Sequence, residues 1–106
     1  MNESNLWSLQ EVDAAFDAYL WMYREQAAGR TFVKRALIRE LQNRVLVRRT
    51  KSSIEKRFQN FSSIFLDHGL SFVSGYVPLD HVGPSVERRV LDLMKSANLI
   101  PSSIPP

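Results

Sequence analysis

The strongest constraint on this chain is a stripe of bulky apolar residues in the middle of the sequence. Its members recur at spacings of four, three and four residues: Ile54, Phe58, Phe61 and Phe65. At 100° per residue, this spacing places all four on one face of an α-helix, which must then be buried against other elements. Hydroxyl side chains that can cap its start precede the stripe: Thr50, Ser52 or Ser53. Gly69 follows it and predicts the helix end.

Two helices are predicted before this stripe. The first spans about Leu9–Ala27, because Ser8 and Glu11 form an S-x-x-E capping box ahead of apolar residues at helical spacing. The second covers roughly Phe32–Arg44, with Thr31 as its predicted N-cap. Three helices of these lengths suit a tri-helical, helix-turn-helix-like core.

The C-terminal half predicts a loop and one more helix. Residues 70–83 are β-prone but interrupted by glycine and proline, which indicates a structured loop packed on the helices. Pro84 suits a first helical position, and the helix should run to about Ala97. We expect one mainly α domain over residues 1–99 and a Pro/Ser-rich tail or linker over 100–106. Residues 45–47 are an apolar run for which a buried turn and a brief extended segment both fit.

The composition argues against several classes of function. The 106 residues include no cysteine and two histidines, so a thiolate metal site and a cysteine nucleophile are excluded. Neither His68 nor His81 belongs to a catalytic or metal-ligating constellation in the sequence, and there is no glycine-rich phosphate loop. We therefore expect no enzymatic activity, cofactor, metal or small-molecule substrate. No apolar run is long enough to span a bilayer and no signal peptide is recognisable, so a cytoplasmic location is expected.

Charge is unevenly distributed along the chain. Residues 1–23 carry four acidic residues and no lysine or arginine, whereas residues 24–57 carry eleven basic residues and three acidic ones. Residues 58–106 carry three basic and four acidic residues, which gives the total of +3. A basic middle between acidic ends predicts a positive face that binds a polyanion, although a solvated helical surface would show the same pattern.

The basic middle coincides with the start of the helix that carries the aromatic stripe. Its outer face holds side chains that can read base edges, and the residues before it are suited to phosphates, because helix N-termini attract anions. We therefore predict a recognition helix that binds duplex DNA, possibly modified DNA. The predicted DNA-binding residues are Arg44, Arg48, Arg49, Thr50, Lys51, Ser52, Ser53, Lys56, Arg57, Gln59, Asn60 and Ser63.

Two resemblances support this expectation. The order of tryptophan, long helix and third-helix aromatic residues resembles a Myb/SANT-type tri-helical fold. Three motifs resemble an N-terminal helical module of HNH-type endonucleases, including modification-dependent restriction enzymes: W-x-x-x-E-V-D-A-x-x-D-A-Y at Trp7–Tyr19, S-I-E-x-[RK]-x-x-N at Ser53–Asn60 and G-L-x-[FY]-[VI]-x-G-Y-x-P at Gly69–Pro78. Relatives tend to have histidine where Phe58 stands here.

The second resemblance implies a non-catalytic target-recognition module of a restriction or defence system. Cleavage would then be carried out by a domain outside this chain. The alternative is a protein-interaction or dimerisation domain of a nuclease or defence protein, with the loop at residues 76–79 or the last helix as the contact. A stable homodimer without duplex affinity would favour this alternative.

Overall fold

The computed structural model describes residues 6–102, and these residues form four α-helices. Their bounds are α1, Leu9–Ala27; α2, Lys34–Gln42; α3, Lys51–Asp67; and α4, Pro84–Ser96. Within residues 6–102 no strand is assigned, which confirms the mainly α prediction. Helix α1 is central: α4 packs against it, α3 and α2 also pack against it, and α2 touches α3.

Aromatic side chains of α1 and α3 form the core. The predicted stripe on α3 is confirmed, since all four of its residues are fully buried. Phe16 and Tyr19 of α1 meet this stripe, and the Tyr19 ring lies 5.0 Å from Phe65 and 5.6 Å from Phe61, both edge to face. Edge-to-face contacts of this kind add about 1 kcal/mol each beyond burial of the rings. The aromatic spacing therefore fixes how α3 sits on α1.

Helix α1 begins as predicted, whereas α2 does not. The backbone N–H of Ser8 donates to the Glu11 carboxylate at 2.8 Å, and the backbone N–H of Glu11 donates to Ser8 Oγ at 3.1 Å. Helix α2 begins two residues later than expected, its N-cap is Val33, and it has no side-chain cap, so the Thr31 cap was wrong. The Phe32 ring instead packs edge to face on Trp21 at 5.7 Å. This tertiary contact overrides the local capping signal.

A turn over residues 43–48 joins α2 to α3. The apolar run at residues 45–47 therefore forms a turn and not an extended segment. Leu46 is buried, while Val45 and Val47 are exposed. Helix α3 then begins at Lys51 with Thr50 as its N-cap. The turn is anchored in the core by one leucine and presents its remaining side chains to solvent.

The loop that follows α3 folds back over the helices. The Tyr19 hydroxyl accepts a hydrogen bond from the backbone N–H of Val73 at 3.1 Å and shares another with Ser62 Oγ at 2.7 Å. Further along, the backbone N–H of Leu79 donates to the Gln59 carbonyl at 3.1 Å. The predicted packed loop is thereby confirmed, and it lies across the part of α3 that was expected to face solvent.

Helix α4 closes the fold on the other side of α1. It starts at Pro84, as predicted, and Arg89 makes two hydrogen bonds of 2.7 Å to the Asp13 carboxylate. Leu99 and Ile100 are half-buried against the core, so packing reaches the first residue of the predicted tail. The tail or linker was predicted over residues 100–106, and its last four positions, 103–106, lie outside the described residues.

Candidate nucleic-acid interface

The outer face of α3 is open only over its first two turns. Ser52 and Lys56 are exposed and Gln59 is half-buried. Asn60 and Ser63 retain only 7% and 5% exposure, so the expectation that both side chains project outward was wrong. A helix covered in this way cannot lie along a major groove over its whole length.

The 79–80 segment of the loop accounts for this burial. Asn60 Nδ2 donates to the Leu79 carbonyl at 2.7 Å and more weakly to the Asp80 carbonyl at 3.3 Å. Ser63 Oγ donates to the Asp80 carboxylate at 2.8 Å. Buried polar groups require such partners, and here they fasten the loop to the helix. The amide of Asn60, predicted to read a base, instead holds the loop.

Two hydroxyl residues of the predicted site cap α3. The backbone N–H of Ser53 donates to Thr50 Oγ1 at 3.1 Å, and Ser53 Oγ donates to the Thr50 carbonyl at 3.0 Å. Both side chains thus stabilise the first turn of the helix. Lys51 and Ser52, next to them, are exposed.

Arg49 joins the turn before α3 to the start of α1. Its Nε and Nη2 atoms donate to the two carboxylate oxygens of Glu11, each at 2.8 Å, and Nη2 also donates to the Leu6 carbonyl. Only 10% of the Arg49 side chain and 14% of the Glu11 side chain are exposed. The hydrogen bonds from Arg49 lower the pKa of Glu11 and outweigh the opposing effect of burial. The sequence predicted a phosphate contact here, and the structure shows an ion pair between the α2–α3 connection and α1.

Arg57 is a half-buried cation without an acidic partner. Its guanidinium lies 4.8 Å from the centroid of the Trp7 ring, and that of Arg49 lies 5.1 Å from the same ring. Arg57 Nη1 donates to Asn60 Oδ1 at 3.1 Å, while its buried Nε has no hydrogen-bond partner in the described part of the chain. Burial lowers the pKa of Arg57, the nearby charge of Arg49 lowers it further, and the charge of Glu11 opposes both effects in part. Trp7 was not among the predicted site residues.

Eight exposed basic side chains form no ion pair with any described residue. Two of them, Arg24 and Arg88, lie on α1 and α4, and the other six lie between residues 35 and 56. These six come from α2, the following turn and the start of α3: Arg35, Arg39, Arg44, Arg48, Lys51 and Lys56. We call these six the basic surface. By contrast, Arg30, Arg49 and Arg89 each pair with a carboxylate. Two acidic residues of the N-terminal segment, Glu11 and Asp13, are therefore paired with arginines from elsewhere in the chain, whereas the cations of the basic surface form no ion pair with a described residue.

Two members of the basic surface were missed as site residues. Arg35 and Arg39 are four residues apart on α2, which places them on one exposed stripe of that helix. This i, i+4 spacing was visible in the sequence and could have identified them. Arg44, which was predicted, shares a cleft of about 590 Å³ with Asp17 and Glu40, so its local field is less positive than that of the others.

A second cleft lies between α3 and the loop. It has a volume of about 370 Å³, and its lining residues are Trp7, Ser53, Lys56, Arg57, Asn60, Leu79, Asp80, His81 and Val82. His81 adopts a positive φ of 67°, which is uncommon for a residue with a side chain. The cleft adjoins the basic surface because Lys56 belongs to both.

Among residues 6–102, no group of three or more His, Asp or Glu side chains is placed to hold a metal ion. None of the helices in that range is both long and apolar enough to cross a bilayer. Comparisons with protein-family models, curated proteins and solved structures found no match to this chain. The resemblance to HNH-associated modules stays a prediction from the sequence.

Proposed function

We propose that this protein binds duplex DNA through its basic surface. The observation that carries the proposal is a concentration of available cations: three arginines pair with carboxylates, whereas no solvent-facing cation from α2 to the second turn of α3 forms an ion pair with a described residue. Unpaired, exposed arginine and lysine side chains are the groups that contact phosphates. The basic surface would therefore follow a DNA backbone.

Base reading is confined to a small region in this proposal. Two of the predicted DNA-binding residues on the outer face of α3, Ser52 and Lys56, are exposed, and both lie in the first two turns of the helix. Recognition helices often contact bases with their N-terminal residues. Arg35 and Arg39 of α2 would contribute phosphate contacts beside them. The proposed binding mode thus depends mainly on phosphates and offers little direct base discrimination.

The resemblance to HNH-associated modules extends this proposal to a biological setting. We propose that the chain serves as a target-recognition module in a restriction or defence system, with cleavage performed by another domain. Unmodified, methylated and hydroxymethylated duplexes should be compared, because the resemblance includes modification-dependent enzymes.

Salt dependence tests the binding mode. Release of counterions gives a slope of about −0.9 per phosphate contact in a plot of log affinity against log salt concentration. Six contacts would therefore give a slope of roughly −5. Fluorescence anisotropy with a labelled 20-base-pair duplex at several salt concentrations measures this slope. No binding at 50 mM salt, or a slope near zero, would contradict the proposal.

A second candidate function is protein interaction, and one surface favours it. The cleft that contains Arg44 is lined on its apolar side by small and large hydrophobic residues of α1, α2 and the turn: Ala14, Ala18, Trp21, Leu37, Leu41 and Val45. Trp21 retains 46% exposure, and exposed tryptophan is typical of protein interfaces. Sedimentation equilibrium tests for a homodimer. A dimer without duplex affinity would replace DNA binding with this function.

A further inference from the structure

The second cleft contains a cation, Arg57, that forms no ion pair with a described residue. Arg57 is half-buried, and only its Nη1 atom has a hydrogen-bond acceptor among the described residues. Arginine is rarely buried without a partner, because removing a charge from water is unfavourable unless an opposite charge or hydrogen bonds replace the water. Arg49 increases the positive potential at Arg57, since the two guanidinium groups contact the same Trp7 ring. Glu11, the ion-pair partner of Arg49, offsets part of this effect.

The cleft beside Arg57 has the chemistry of an anion site. Lys56 lies on its rim with no acidic partner, and His81 adds an imidazole. Asp80 is the one carboxylate in the lining, and its Oδ1 accepts the hydrogen bond from Ser63. Two permanent cations therefore face one carboxylate. A volume of about 370 Å³ admits a phosphate group.

We propose that this cleft binds a single phosphate group, with Arg57 as its main anchor and Lys56 as a second donor. Because Nε of Arg57 is sealed from solvent, the phosphate oxygens would meet the outer nitrogens of the guanidinium and the Lys56 ammonium. The planar guanidinium suits this role, since its paired N–H groups match two phosphate oxygens. The charge of Asp80 opposes the phosphate and limits its affinity.

This site would add one defined phosphate contact to the proposed binding of DNA. It rests on that proposed function only for the source of the phosphate. The cleft adjoins the basic surface at Lys56, so a duplex lying on that surface could present one backbone phosphate to it. Free inorganic phosphate offers the same chemistry. The two sources can be separated by experiment, because one needs the whole basic surface and the other needs only the cleft.

The two tryptophans of the chain provide matched probes. Trp7 lines the proposed site, whereas Trp21 lines the other cleft. Inorganic phosphate should be titrated into the ¹⁵N-labelled protein against sodium chloride of equal ionic strength. We expect the Trp7 indole N–H signal to shift and saturate, and the Trp21 signal to remain unchanged. Phosphate at ten times its dissociation constant should also raise Tm by roughly 6 °C.

Variants identify the anchor. Arg57→Met should abolish the saturable Trp7 shift, and Lys56→Gln should weaken phosphate affinity by roughly five-fold. Asp80→Asn should tighten it, because a repulsive charge is removed. Arg88→Gln on α4 is the control of equal charge change and should have no effect. If Arg57→Met fails to fold, the opposite effects of Lys56→Gln and Asp80→Asn still test the site.

Several results would overturn the proposal. One is a Trp7 response that phosphate and chloride share equally; another is a saturable response that persists in Arg57→Met. Equal phosphate affinities in the Lys56→Gln, Asp80→Asn and wild-type proteins would also contradict it. Duplex binding with no phosphate response at Trp7 would reject this site and leave the proposed function standing. A Trp7 response without duplex affinity would support the site and reject DNA binding.

Discussion

Two buried tyrosines allow the same chemical change to be tested with opposite expected results. Tyr19 and Tyr76 are both nearly inaccessible to solvent. The Tyr19 hydroxyl has two partners, Ser62 Oγ and the backbone N–H of Val73. The Tyr76 hydroxyl is buried with no partner among the described residues, and burial raises the pKa of Tyr76 to about 12. Replacement by phenylalanine removes one oxygen in each case.

The expected free energies follow from the partners left behind. Tyr19→Phe removes the hydroxyl that is the hydrogen-bond partner of both the buried Ser62 hydroxyl and the Val73 N–H. Leaving these two groups unpaired should lower the free energy of unfolding by about 2 to 3 kcal/mol. Tyr76→Phe removes a buried hydroxyl that makes no hydrogen bond, and should raise it by about 1 kcal/mol. The Tyr76 ring keeps its contacts with Phe58 at 5.0 Å and with Lys34 Nζ at 4.6 Å in the variant.

Thermal and urea unfolding measure both effects. For 106 residues and an unfolding entropy of about 2.1 cal/mol/K per residue, 1 kcal/mol corresponds to a Tm shift of roughly 4.5 °C. Tyr19→Phe should therefore lower Tm by roughly 10 °C, and Tyr76→Phe should raise it by roughly 4 °C. Equal losses of stability in the two variants would contradict this expectation, because they would mean that the Tyr76 hydroxyl has a hydrogen-bond partner in the folded protein.

Three further predictions concern the ion pair, the loop and its glycine. Glu11→Gln should reduce stability by about 2 kcal/mol in urea unfolding at pH 7. Because the folded pKa of Glu11 is lowered, its contribution is present above the unfolded value of about 4.3 and is lost as pH falls through the folded pKa, so the variant should lose less stability on acidification. Asn60→Ala should cost about 2 kcal/mol and accelerate hydrogen exchange at the Leu79 amide. Gly75→Ala should cost about 1 kcal/mol in thermal unfolding, since φ at this position is 94°. If a variant unfolds and exchanges as the wild type does, the result would contradict the importance of the ion pair, the hydrogen bond or the backbone conformation that the variant changes.

Local patterns predicted most of the fold. The capping box at Ser8 and the proline at the start of α4 each indicated a helix start, and the aromatic stripe identified the buried face of α3, because all three signals lie within a single helix. The predicted start of α2 was wrong because Phe32 packs on Trp21 of α1, and this contact is tertiary. Propensity and capping rules contain no information about such contacts.

The candidate site was harder to predict, for a related reason. Helical periodicity correctly placed Asn60 and Ser63 away from the aromatic stripe, but periodicity does not reveal that another segment covers that face. Likewise, Arg49 and Arg39 look alike in sequence, yet one pairs with Glu11 across 38 positions of the chain and the other is exposed without a partner. Which cations remain available is a property of the packed structure.

We propose that the exposed cations of α2 and the following segment bind DNA phosphates, and a comparison of two double variants tests this directly. Duplex affinity of Arg35→Gln/Arg39→Gln should be compared with that of Arg88→Gln/Lys95→Gln, a double variant of α4 with the same loss of charge. We expect the α2 variant to bind on the order of 100-fold more weakly at 50 mM salt, with a salt slope shallower by about 2. The α4 variant should bind nearly as the wild type does. Equal losses in both double variants would contradict the claim, because only net charge would then matter.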